Sequence, residues 1–171
     1  MFRLPVPDIS LHDVFDLSPR RLHALGVKLL LLDLDNTLAA YGEAVPSRVL
    51  RRWLKNLRGA GIEPVIFSNS RGNRPARFAA MLAIEAVDHA HKPNPKKLLA
   101  LLDERGLRPC DAALCGDQVY TDVFCAKRAG ALAICVRPLS FWVPTRALRY
   151  AAEAPFRLAG KVRGPHPGAG G

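Results

Sequence analysis

Hydrophobic positions change period in a regular order along this chain. Residues 27–34 (VKLLLLDL) form a nearly continuous apolar run with no 3.6-residue repeat, which suits a strand buried on both faces of a parallel sheet. Leucine is a weak strand former, so the reading rests on the pattern. From Pro46, PSRVLRRWLKNLRG sets Val49, Leu50, Trp53, Leu54 and Leu57 on one stripe and Arg48, Arg51, Arg52, Lys55 and Arg58 on the other, an amphipathic helix. The alternation then repeats. Residues 64–67 read as a strand, 74–83 as a helix with Phe78, Met81 and Leu82 inward, and 84–89 as a short strand. A helix capped by Asn94-Pro95 runs through Glu104, 112–115 is a strand, 121–129 a helix closed by Gly130, and 131–136 a last strand. Strands alternating with helices of about ten residues predict an α/β fold: right-handed crossovers and a central parallel sheet covered on both faces.

Around the 27–137 core, residues 1–26 read as a lead-in, extended at Pro5 and Pro7, with a short helix after Ser18-Pro19 that Gly26 ends. Residues 138–158 read as a basic helical segment carrying Phe141, Trp142, Tyr150 and Phe156 and broken at Pro155, and 159–171, closing in GPHPGAGG, as a disordered tail. No internal repeat is visible.

The 171 residues hold 49% hydrophobic and 23% charged positions, enough apolar content to bury a core, which excludes wholesale disorder. No apolar run approaches the roughly 20 residues of a membrane span, and MFRLPVPDIS lacks a signal peptide's apolar stretch, so a cytoplasmic protein is expected. Cys110, Cys115, Cys125 and Cys135 show no CxxC spacing and read as reduced packing thiols. The 25 Lys+Arg against 15 Asp+Glu leave a charge of +10 and call for an anionic partner: nucleic acid, a membrane surface or a phosphorylated substrate.

In open α/β sheets ligands bind beyond the carboxyl ends of the strands. Those ends carry Asp33-Leu34-Asp35-Asn36-Thr37, Ser68-Asn69-Ser70, His91-Lys92-Pro93, and Gly116-Asp117 continuing to Asp122. Such a set suits phosphoryl transfer, in which the protein mainly positions and neutralises a dianion. Asp33 and Asp117 converge sensibly only around a hard cation, and all-oxygen ligands favour Mg²⁺. With that ion and Lys92, Asp33 can act as nucleophile, Asp35 two residues on can protonate the leaving oxygen and then activate water, and Thr37 and Ser68 can donate to phosphoryl oxygens. A lone Asp at a strand end is usually a turn or cap residue; four such strand ends in this order are not explained that way.

The motifs resemble those of the haloacid-dehalogenase-like (HAD) superfamily, over about residues 27–137, and more narrowly its subfamily IIIA, YqeG-like branch, which includes phosphatidylglycerophosphate phosphatases. DLDNTL, VIFSNS, HKPNP, GDQVYTDV and the FDLSPRRLHALGVK preamble carry the narrower likeness. The resemblance implies a three-layer Rossmann-like fold, a Mg²⁺-dependent phosphatase working through an aspartyl-phosphate on Asp33, Asp35 as acid/base giving its backbone carbonyl to the metal, and Asp117 completing the ligands. It implies Ser68 and Asn69 at the phosphate and Asp122 behind Lys92. His91 departs from a basic residue expected there, which bears on headgroup binding.

Thirty residues separate Thr37 from Ser68 and 23 separate Ser68 from Lys92, each interval filled by one helix and one strand, so no cap domain fits and an open site is expected. That suits a phosphate on something large or on a surface, and phosphatidylglycerophosphate is the leading substrate by resemblance, with contact to an anionic membrane at its inner face. A soluble nucleotide or sugar phosphate is the alternative; an RNA- or ribosome-binding module ranks third, because no RNA-binding motif is present and nucleic acid is not the expected partner. Arg71 and Arg74 are candidates to hold a second phosphate at the rim. The arginines of 48–58 read mainly as a solvated face, residues 141–158 can lie on anionic lipid or pack on the sheet, and His89 and His91 read as structural or rim groups.

Overall fold

A computed structural model describes residues 5–140 and 144–162 of the chain. Six parallel strands form its centre: β1 (Ile9–Ser10), β2 (Leu29–Leu32), β3 (Glu63–Phe67), β4 (Glu85–Val87), β5 (Ala112–Gly116) and β6 (Leu132–Cys135), in the spatial order β1-β6-β5-β2-β3-β4. All four leucines of β2 are buried, as a two-sided strand requires. Leu30 and Leu32 join one core with Trp53, Leu54 and Leu57 of α2 (Arg48–Gly59) and Phe78 and Leu82 of α3 (Arg74–Leu82). Leu29 and Leu31 join the other with Leu98 and Leu102 of α4 (Lys96–Glu104) and Cys125 and Ala126 of α5 (Phe124–Ala129). The period-2 alternation of β2 thus feeds both faces of a three-layer α/β fold.

The strand and helix blocks read from the pattern are all present, with several ends as read and the others shifted by no more than three residues. The lead-in does more than expected. Ile9 and Ser10 pair with Ile134 and Cys135, adding an edge strand, while Val14, Leu17 and Leu22, the last in the short helix α1 (Pro19–Ala24), fill the α2 side of the core. Trp53 donates its indole N–H to the Leu17 carbonyl at 3.1 Å. The helix expected at 121–129 opens earlier, as a π-helical turn over Val119–Val123 that leads into α5.

The C-terminal segment is two helices, α6 (Pro144–Ala152) and α7 (Ala154–Val162), divided at Glu153 rather than at Pro155. Helix extends through 159–162, where the tail was expected to begin; Phe141, Trp142 and GPHPGAGG lie outside the described residues. Gly160 of α7 sits so close to the lead-in that a Cβ there would meet Pro7 Cγ at 2.6 Å. Phe156 packs against the α4–α5 core. The described part of this segment therefore packs on the fold. Between β2 and β3 stand only a loop and α2, and between β3 and β5 only α3, β4 and α4 with their connections, so no cap domain interrupts the core.

Among the described residues no helix is long and apolar enough to cross a membrane. The four cysteines are free; burial pushes the Cys125 and Cys135 thiols up to about 12, which suits packing groups and not nucleophiles.

Candidate functional site

Asp33, Ser68 and Asp117 each follow the last residue of a strand, β2, β3 and β5, so the parallel sheet delivers them to one edge. Past β2 the chain turns sharply: Asn36 is left-handed at φ 63°, a conformation Asn tolerates better than most residues, and Thr37 and Leu38 donate back to the Leu34 carbonyl. That requirement explains the Asn in DLDNTL. The Thr37 hydroxyl ends buried with no hydrogen-bond partner.

Lys92 is the hub. Its Nζ donates to Asp33 Oδ1 and to Asp122 Oδ1, each at 2.6 Å, with all three side chains buried. Its main chain is fixed by Asn69, whose Oδ1 accepts from Lys92 N at 2.8 Å and whose Nδ2 donates to Lys92 O at 2.9 Å. Asn69, expected at the phosphate, thus spends its amide on placing the lysine. Asp122 comes from the π turn, and its other oxygen accepts from the Gln118 N–H at 3.1 Å. Gly116 is what lets it fit, since a Cβ there would lie 2.2 Å from Asp122 Cγ.

Asp33, Asp117 and Asp122 each place a carboxylate oxygen within 4.8 Å of the others. Three carboxylates against one ammonium leave two negative charges, the deficit a divalent cation fills. Burial pushes Asp33 up to about 6 even though Lys92 pulls it down, and burial with the neighbouring Asp33 and Asp122 raises Asp117 well above the carboxylate range. Asp117 Oδ1 is buried and has no hydrogen-bond partner. An unsatisfied carboxylate oxygen facing excess negative charge fits an all-oxygen cation site held by Asp33 and Asp117, with both Asp122 oxygens already engaged by protein donors.

Asp35 stands apart from this cluster, half-buried and ion-paired with Arg74. The same guanidinium donates to the carbonyls of Ala40 at 3.1 Å and Glu43 at 2.9 Å, tying α3 to the loop after β2. Arg74, expected at a substrate rim, is therefore a partner of Asp35; Arg71 is exposed. The Ser68 hydroxyl accepts from Ser70 N at 3.2 Å and sits at the same edge. His89 Nδ1 lies 3.5 Å from Asp88 Oδ1 and His91 is exposed, so neither joins the cluster.

The sequence reading missed a set of contacts from the C-terminal helices. Arg157 donates to the Asp117 carbonyl, Glu153 accepts from the Tyr120 N–H at 3.3 Å, and Arg149 donates to Gln118 Oε1 at 2.6 Å. The one signal was the acid Glu153 alone in a basic segment. Much of the positive surplus is similarly consumed: Arg51 and Arg58 of α2 donate to the Met81 and Ala83 carbonyls, Arg105 bridges Glu63 and Glu85, and Lys127 pairs with Asp8.

A family model described as HAD-hydrolase-like matches residues 89–138. The chain is 30% identical over 135 residues to the probable phosphatase YqeG of Bacillus subtilis, covering 79% of this chain and 78% of that protein. It is 29% identical over 146 residues to the chloroplastic phosphatidylglycerophosphate phosphatase 1 of Chlamydomonas reinhardtii, spanning 80% of this chain but only 54% of that longer protein. Among solved structures, a hypothetical protein of Xanthomonas campestris superposes with a TM-score of 0.57 at 20% identity, covering 95% of this chain and 94% of that one. An uncharacterized protein of Listeria monocytogenes gives 0.53 at 17% identity, over 74% and 99% of the two chains. At those identities the likeness is one of fold.

Proposed function

The chain belongs to the haloacid-dehalogenase-like hydrolases and is a phosphatase of that type, and from that premise we propose that it hydrolyses phosphomonoesters through Asp33, with Mg²⁺ as the cation and phosphatidylglycerophosphate as the substrate. The observation that carries the reading is the buried Asp33–Lys92–Asp122 chain beside the unpartnered Asp117 oxygen.

Lys92 fixes Asp33 through Oδ1 and supplies positive charge where a phosphoryl group must approach. An Asp33 carboxylate oxygen attacks phosphorus, the ester P–O bond breaks, and Asp35, parted from Arg74 and protonated as substrate binds, gives that proton to the departing alkoxide. Water then attacks the aspartyl-phosphate, Asp35 takes a proton back, and the Asp33–phosphorus bond breaks to release inorganic phosphate. The buried Thr37 hydroxyl and Ser68 are the neutral donors at hand for the phosphoryl oxygens. Mg²⁺ held by Asp33, the Asp35 carbonyl and Asp117 would neutralise the carboxylates and polarise the phosphoryl group.

The lipid substrate is supported by the Chlamydomonas relative and by the chain between β2 and β5, which holds no cap domain. Phosphate release from phosphatidylglycerophosphate in anionic vesicles, measured beside a panel of nucleotide and sugar phosphates with and without Mg²⁺, tests it. Release from the vesicles that depends on Mg²⁺ and vanishes in Asp33→Asn is expected. Faster turnover of a soluble ester would overturn the substrate, and turnover by Asp33→Asn the mechanism.

A further inference from the structure

We propose that Arg157 is a positioning residue of the cation site: it fixes the main chain of Asp117 from α7, and Glu153 holds its guanidinium in place. This rests on the reading of Asp117 as a cation ligand. The Arg157 fork spans two strand ends. Nη2 donates to the Asp117 carbonyl just past β5 and to Glu153 Oε2 at 2.7 Å, while Nη1 donates to the Val136 carbonyl just past β6 at 3.2 Å and to Cys135 Sγ at 2.9 Å. Its guanidinium carbon lies over the Tyr150 ring, 4.3 Å from the ring centre. A lysine cannot make that set of bonds, because its donors radiate from one point.

The neighbouring contacts have the same target. Glu153, 1% exposed, uses its second oxygen on the Tyr120 N–H, and Arg149 holds the Gln118 side chain. Residues 117, 118 and 120, between the unpartnered Asp117 carboxylate and Asp122, are thus each gripped by the α6–α7 segment. None of these bonds goes to Asp117 Oδ1, which keeps its lone pairs. The main chain is clamped while the carboxylate is left for a ligand.

Charge supports the assignment. An isolated guanidinium this near a cation site would repel the ion, but Glu153 neutralises it. A buried Glu–Arg pair contributes little net stability compared with well-packed apolar residues, so what this pair supplies is geometry. Partners that orient a ligating carboxylate change metal affinity by about 10–100-fold when removed. Both helices lie beyond the four strand ends that carry the reacting groups, so this chain completes its site with a segment outside them.

The test is a titration of the full chain with Mn²⁺, reading free ion by electron paramagnetic resonance, with circular dichroism to establish folding. Asp117→Asn should lose binding; if it binds as the parent does, the cation-ligand reading fails and the clamp with it. Arg157→Leu should weaken Mn²⁺ binding about 10–100-fold, and Arg157→Lys should recover part of the loss. If Arg157→Leu does not fold, Glu153→Gln carries the test, with weaker binding expected. Folded Arg157 or Glu153 variants that bind Mn²⁺ as tightly as the parent, while Asp117→Asn does not, would overturn the positioning role alone.

Discussion

Lys92 Nζ and Asp33 Oδ1 stand 2.6 Å apart although 59 positions separate them in the chain. The contact is buried, and the same ammonium neutralises Asp122. Removing it leaves two carboxylates facing each other out of water. Lys92→Met keeps the side chain's length without its charge and is expected to cost about 3–5 kcal/mol of stability, the penalty for breaking a buried pair. Phosphate release should fall about 100–1000-fold, the loss typical of one charge-stabilising donor. Chemical denaturation and a phosphate-release assay read the two effects; a variant with parental turnover would remove Lys92 from the mechanism.

Gly116→Ala tests a steric requirement. The added methyl would stand 2.3 Å from Asp122 Oδ2, and the donors to that carboxylate, Lys92 Nζ and the Gln118 N–H, would be lost as it moved. Overpacking of this kind costs about 1–3 kcal/mol. Turnover should drop with stability, and the melting temperature and kcat of the purified variant check both. An unchanged kcat would mean that Asp122 is not needed where it stands.

Arg74 separates stability from catalysis. Its pair with Asp35 is partly exposed, 27% on one side chain and 24% on the other, so Arg74→Leu should change stability by about 1 kcal/mol or less. The same change frees Asp35 and the carbonyls of Ala40 and Glu43, and a displaced acid/base can cost up to about 100-fold in kcat. Steady-state kinetics on a soluble phosphomonoester decide it: a loss confined to KM would assign Arg74 to substrate binding.

What was legible in the sequence follows from physics that is local along the chain. Apolar blocks such as LLLL announce β2, and Asp33, Ser68 and Asp117 stand where such blocks stop, so their arrival at one edge of the sheet was legible in the pattern. Pairings between distant polar residues leave no periodic trace. Arg74 with Asp35, Asn69 with the Lys92 main chain and Arg157 with the Asp117 carbonyl join positions 23 to 40 residues apart. The edge strand β1 is two residues long, too short for alternation to register, and is specified by its partner β6. The basic C-terminal segment read equally well as a membrane surface or as packing, because composition does not tell a solvated arginine from one that lies over the Tyr150 ring.

The acidic cluster predicts how cation and pH act together on stability. Asp33 titrates near 6 in the fold because burial disfavours its charge, and about 4 in the unfolded chain, and Asp117 is raised in the same sense. Between those values the folded state holds a proton that the unfolded state has released, so stability falls as pH rises from about 4 to about 6. Asp111 acts in the opposite sense at lower pH: hydrogen bonds from Arg108 hold it at about 2, so its contribution is present above about 4 and is lost as pH falls towards 2. A divalent cation favours the ionised carboxylates, so its stabilisation should grow as pH rises through the 4 to 6 window. Thermal melts at pH 4.5 and pH 7, in EDTA and in Mg²⁺, should show a larger Mg²⁺-induced rise in Tm at pH 7, and Asp117→Asn should shrink that difference. Equal shifts at both pH values would separate the cation from these carboxylates.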